Sequence, residues 1–91
     1  MPGETVLVVE DSPTHLKLTR LILMQAGYAV STAASAEEAL DLLAGLHPAL
    51  ILLDLQLPGM DGLELTRCLR QDPSYDDVVI VALTAAAMKG D

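Results

Sequence analysis

The sequence predicts an α/β fold built on a doubly wound parallel sheet, and three observations carry that expectation. Short β-branched or leucine-rich runs alternate with helix-spaced segments in the order βαβαβαβ; parallel neighbours need crossovers, which are right-handed and lay helices against the sheet. Two runs, Val6–Val9 and Leu50–Leu53, are wholly apolar, the mark of strands covered on both faces. The chain has 91 residues, 52% of them hydrophobic, with no Trp or Phe, which suits one aliphatic core and a single domain over residues 1–91.

Each element follows from a local signal. Val6 to Val9 is the first strand, bounded by Gly3 and by Glu10-Asp11. Ser12-Pro13 supplies an N-cap and a first-turn proline. Leu18, Leu21, Ile22 and Ala26 then recur at helical spacing until Gly27 stops the helix. Leu16, Leu23 and Met24 lie off that stripe, so a second covering is expected on their side. Tyr28 to Ala33 is a weaker strand diluted by Ala and Ser. Ser35 with Glu38 three residues on forms a capping box for a helix carrying Ala39, Leu40, Leu42 and Leu43 and ending near Gly45. Leu50 to Leu53 is a central strand, Gly62 to Arg70 a short helix, and Val78 to Leu83 the fourth strand. Asp72, Asp76 and Asp77 surround Pro73 in an expected solvated loop.

Charge and composition exclude several functions. Thirteen acids against five bases give a net charge of −8, the wrong sign for phosphate-backbone binding, so no nucleic acid is expected on this segment. Cations or basic partners fit better. No apolar run approaches the ~20 residues of a membrane span, and the start MPGET has no signal-peptide character. The lone Cys68 has no intrachain disulfide partner. A reducing, cytoplasmic setting is expected. His15 and His47 have no companions at metal-ligand spacing.

The chemistry is expected beyond the carboxyl ends of the strands, where doubly wound sheets bind ligands. Strand one ends in Glu10-Asp11, strand three in Asp54 and strand four in Thr84. Carboxylates about 4 Å apart repel by about 4 kcal/mol at an effective dielectric of about 20, and a divalent cation offsets that repulsion. Mg²⁺ suits such a site because it takes one or two carboxylates, keeps waters, and leaves positions open for a phosphoryl group. A carboxylate can also attack phosphorus to form an acyl phosphate, which makes Asp54 the candidate nucleophile. Thr84 can hydrogen-bond the new phosphoryl oxygens. In the turn after Asp54, Pro58 presets one angle and Gly59 tolerates a positive φ. Asp61 is read as a turn or cap residue before the third helix.

Taken together, VLVVEDS, ILLDLQLPGMDG and ALTAAAMKGD resemble the receiver domains of bacterial two-component response regulators, over Val6 to Asp91. The resemblance implies a flavodoxin-like fold with strand order 2-1-3-4 for the four strands present. It also implies a phosphoryl group received by Asp54 from a histidine kinase or phosphotransfer protein. Glu10 and Asp11 would hold Mg²⁺, with Asp11 the more direct ligand, Asp54 beside it and the backbone carbonyl of Gln56 completing the protein's share. Thr84 would be the hydroxyl that senses the phosphoryl group.

Receivers continue into a fourth helix, a fifth strand ending in a lysine, and a fifth helix, and the sequence lacks these. Lys89 follows the fourth strand too soon to be that lysine, so phosphorylation of the 91-residue form is expected to be impaired. The fourth strand is then an exposed edge, and the expectation is either that the 91-residue chain associates through Val78, Val79, Ile80 and Val81 or that it is a fragment of a longer protein whose remainder covers them. Two rivals are disfavoured. A flavodoxin-type FMN binder would want a hydroxyl- and glycine-rich loop where EDSPTH places carboxylates. A phosphatase of the haloacid dehalogenase type would want a second aspartate where Gln56 stands, so turnover of outside substrates, and hence an enzyme, is not expected. The remaining alternative is a receiver-shaped docking or oligomerisation fragment that is not phosphorylated.

Overall fold

The computed structural model describes residues 3–54 and 62–83. Their elements are β1 (Thr5–Val9), α1 (Pro13–Gln25), β2 (Ala29–Ala33), α2 (Ala36–Leu43), β3 (Leu50–Asp54), α3 (Gly62–Arg70), a 3₁₀ turn (Pro73–Tyr75) and β4 (Val79–Leu83). The strands form one parallel sheet in the order β2-β1-β3-β4, as the resemblance implies. The loop expected around Pro73 is a 3₁₀ turn instead, opened by the Asp72 side chain, which accepts the Ser74 N–H at 2.9 Å.

Local chemistry explains the helix ends. Ser12 and Ser35 are N-caps in extended conformation, and Ser35 Oγ accepts the Glu38 N–H at 3.1 Å. At the end of α1, Gly27 adopts a φ of 97°. Its N–H donates to the Met24 carbonyl at 3.0 Å and the Tyr28 N–H to the Leu23 carbonyl at 3.1 Å, the paired bonds of a Schellman motif that glycine permits.

The core lies on one side of the sheet. Leu7, Val9, Ile51 and Leu53 meet Ala36, Ala39 and Leu43 of α2 and Leu65 and Leu69 of α3, all at most 4% exposed. Val6 and Val8 alternate to the opposite side, where α1 lies over β1 and β2. There the expected α1 stripe is inverted: Leu18, Leu21 and Ile22 are exposed, whereas Leu16 and Leu23 are half-buried. The run LKLTRLILM has apolar residues at so many angles that periodicity does not choose between its faces. Because α1 covers β1 and β2, Leu50 and Leu52 on that side of β3 stay half-buried among the described residues. β3 is therefore central by topology but, unlike the apolar run predicts, fully covered on only one face.

The predicted fourth-strand edge also needs correction. Val78 precedes β4 and is 2% exposed. Its carbonyl accepts a hydrogen bond from the Arg70 guanidinium at 2.8 Å, and the Tyr75 carbonyl accepts another at 3.1 Å. Ile80 is half-buried against the core, so Val79 and Val81 alone of the four are exposed. Among the described residues, no helix is long and apolar enough to cross a membrane.

Candidate metal and phosphoacceptor site

Three acidic residues meet at the carboxyl ends of β1 and β3. Val9 is paired with Leu53, so the next residues, Glu10 just past β1 and Asp54 at the end of β3, stand side by side. The Glu10 N–H still bonds to the Ala33 carbonyl of β2 at 3.0 Å, which fixes the backbone where the acids begin. One carboxylate oxygen each from Glu10, Asp11 and Asp54 lie within 4.8 Å of one another. Glu10 and Asp54 are half-buried and Asp11 is exposed.

The electrostatics follow from this crowding. Glu10 Oε2 accepts the Ser12 N–H at 3.0 Å. Burial pushes the Glu10 carboxyl above its ordinary value, and the Asp54 charge and hydrogen bonds with Asp11 and Asp54 push the same way, against the Ser12 N–H, which favours the charged form. Ser12 thus serves twice, since its Oγ also caps α1 by accepting the His15 N–H at 3.5 Å. His15, assigned no role from sequence, places Nδ1 3.9 Å from Glu10 Oε1. The signal was available: a residue three after an N-cap sits in the first helical turn, beside whatever precedes the cap.

Three oxygens from a half-buried and partly exposed set fit a hard cation that retains waters. Gln56, Pro58, Gly59, Asp61, Thr84 and Lys89 lie outside the described residues, and so do the roles expected of them. His47, expected to lack metal companions, has a different partner. Its Nε2 is 2.9 Å from Asp77 Oδ1, and its ring stacks on Tyr75 with centroids 5.8 Å apart. Asp77 lies in the solvated segment expected of it, its side chain 77% exposed, and meets His47 because the α2–β3 loop lies against the turn before β4.

Comparison with known proteins places the fold in a family. The profile of the response regulator receiver domain matches residues 6–91. The polar-differentiation response regulator DivK of Brucella ovis is 43% identical over 88 residues, covering 97% of this chain and 72% of that protein. Among solved structures, the chemotaxis response regulator CheY4 of Vibrio cholerae superposes with a TM-score of 0.85 at 31% identity, covering 88% of this chain and 67% of the other. The response regulator TrrA of Thermotoga maritima, solved in complex with Mg(2+)-BeF, gives a TM-score of 0.84 at 34% identity, covering 97% of this chain and 76% of the other. Sequence match and shared strand order lead to one conclusion: the chain belongs to the response regulator receiver domain family.

Proposed function

We propose that Asp54 is the phosphoacceptor of a two-component phosphorelay and that Glu10, Asp11 and Asp54 hold the Mg²⁺ it needs. The observation that carries this reading is the convergence of three carboxylate oxygens within 4.8 Å at two adjacent strand ends. In the transfer, an Asp54 carboxylate oxygen forms a bond to phosphorus. The P–N bond to the donor's phosphohistidine breaks, and its electron pair returns to the imidazole nitrogen. Bound Mg²⁺ supplies neutralisation of the phosphoryl oxygens. Asp11, the most exposed of the three, is the direct ligand, and the Gln56 carbonyl completes the set. Thr84 donates its hydroxyl to the phosphoryl group.

The donor is a sensor histidine kinase or a phosphotransfer protein, and the chain serves as a cytoplasmic signalling module rather than a turnover enzyme. TrrA, whose structure contains Mg(2+)-BeF, supports the chemistry by analogy. The test is incubation with acetyl phosphate and Mg²⁺ followed by intact-mass measurement. A weak phosphoryl adduct in the 91-residue chain, a full one in a longer chain that restores the lysine, and none in Asp54→Asn of that longer chain is the expected result. No adduct in the longer chain at saturating donor and Mg²⁺ would instead favour the docking alternative.

A further inference from the structure

The geometry points to His15 as a fourth ligand of the acid site, one that recruits a nitrogen-preferring divalent ion of the Zn²⁺ class in competition with Mg²⁺. The inference deepens the reading of Glu10, Asp11 and Asp54 as a metal site and rests on it. His15 lies beside that site, and the phosphoryl chemistry has no use for it.

The backbone brings the imidazole there. His15 stands in the first turn of α1, and its N–H donates to Oγ of the capping Ser12 at 3.5 Å. The N–H of Ser12 donates to Glu10 Oε2 at 3.0 Å, so a single residue holds the start of the helix and the glutamate together. With Oε2 engaged, the other oxygen, Oε1, lies 3.9 Å from His15 Nδ1. The Glu10 side chain is 17% exposed and that of His15 68%, so the ring is the partner with room to turn.

That distance decides how the contact is used. A hydrogen bond from a ring N–H spans about 2.7–3.2 Å, which 3.9 Å exceeds. As an ion pair with so exposed a partner it would contribute little. Two ligands of one ion obey a looser limit: at bond lengths of about 2.0–2.2 Å they can stand up to about 4.2 Å apart. His15 Nδ1 and Glu10 Oε1 already satisfy it, and Glu10 shares its place with an oxygen each from Asp11 and Asp54.

Ligand chemistry selects the ion. Mg²⁺ binds oxygen and keeps several waters, so an imidazole at the rim adds nothing to its hold. Zn²⁺ takes histidine nitrogen together with carboxylate oxygen, and imidazole favours it over Mg²⁺. His15 turns a set of oxygens alone into one nitrogen and three oxygens, the mixed kind of set that Zn²⁺ prefers. Both ions draw on the same carboxylates, so one excludes the other, and the occupant of the site depends on which ion is available.

The test is titration of the 91-residue chain with zinc chloride and, separately, magnesium chloride, followed by NMR. His15→Gln keeps an exposed helical position polar and removes the ring nitrogen. Its Zn²⁺ affinity should fall about tenfold or more, a loss that even a residue supporting a metal ligand causes, while its Mg²⁺ affinity stays within about twofold because Mg²⁺ has no use for nitrogen. In the parent, added Mg²⁺ should weaken the apparent affinity for Zn²⁺. Ring-nitrogen spectra locate the ion directly: Zn²⁺ should shift Nδ1 of His15 and leave His47, which precedes β3 at the opposite end of the strands, unchanged. A His15→Gln chain that binds Zn²⁺ as tightly as the parent, shifts at His47 instead of His15, or Zn²⁺ and Mg²⁺ bound together without competition would each overturn the assignment while leaving the acid site intact. A parent that binds no Mg²⁺, or an Asp11→Asn, Asp54→Asn double variant that binds it normally, would bring down the metal-site reading and this inference with it.

Discussion

Val9 and Leu53 stand directly opposite each other in the β1–β3 ladder, and that register is what brings Glu10 and Asp54 together one residue later. A slip of the pairing by one position would turn every side chain of one strand to the other face, carrying the carboxylates apart. The apolar partners thus set the geometry of the acids, and the site is as firm as the core beneath it.

Crowding makes the metal-free site pH-dependent. Glu10 keeps its proton longer in the folded chain than in the unfolded one, because its carboxyl is pushed above 4.5. Between that value and the raised one the folded state binds more protons, so stability falls as pH rises. Its contribution is fully present below 4.5 and lost as pH climbs through the folded value. Urea midpoints taken upward from pH 4.5 without divalent ions should show this slope, and Glu10→Gln should flatten it and be the more stable protein at neutral pH.

Mg²⁺ should reverse the penalty. A cation that binds only the folded chain at a hundredfold its dissociation constant adds about 2.7 kcal/mol. Denaturation with and without Mg²⁺ should show a gain of that order in the parent and none in the Asp11→Asn, Asp54→Asn double variant. A gain that survives the double substitution would place the cation elsewhere.

Much of this arrangement was legible before the fold was known, and the parts that were not have physical causes. Ser12, Gly27 and Ser35 act through their nearest neighbours, so the helix ends could be read from short windows. The strand ends bearing Glu10, Asp11 and Asp54 stood out because acids abruptly follow apolar runs. The buried face of α1 was read inverted, since its leucines, isoleucine and methionine are spread round the helix and leave periodicity little contrast to detect. His47 and Asp77 lie thirty residues apart, and Arg70 reaches carbonyls five and eight residues on. Contacts of that kind depend on tertiary geometry and leave no periodic trace.

Arg70 should be worth more than its exposed position suggests. Its guanidinium ties the end of α3 to the Tyr75 and Val78 carbonyls, and the Val78 contact is partly buried. Removing a charged donor leaves an acceptor without that partner, at a cost of about 1–3 kcal/mol. Arg70→Ala should therefore lower the urea midpoint by that order. Arg70→Lys should recover only part of it, because an ammonium lacks the planar fork that reaches two carbonyls at once.

The two sides of the sheet should respond very differently to truncation. Ile51 is 0% exposed and is packed among Leu7, Leu65 and Leu69. Ile51→Ala removes buried methyl groups and leaves a cavity that backbone on both sides prevents from collapsing, for about 2–5 kcal/mol. Ile22, just as apolar, is 57% exposed on α1, and Ile22→Ala should stay within about 0.5 kcal/mol. Equilibrium unfolding of the two variants side by side measures the difference. A cost at Ile22 approaching that at Ile51 would mean that the outer face of α1 is covered in solution, by a second copy or by chain beyond the described residues, since no contact among the described residues gives it such a weight.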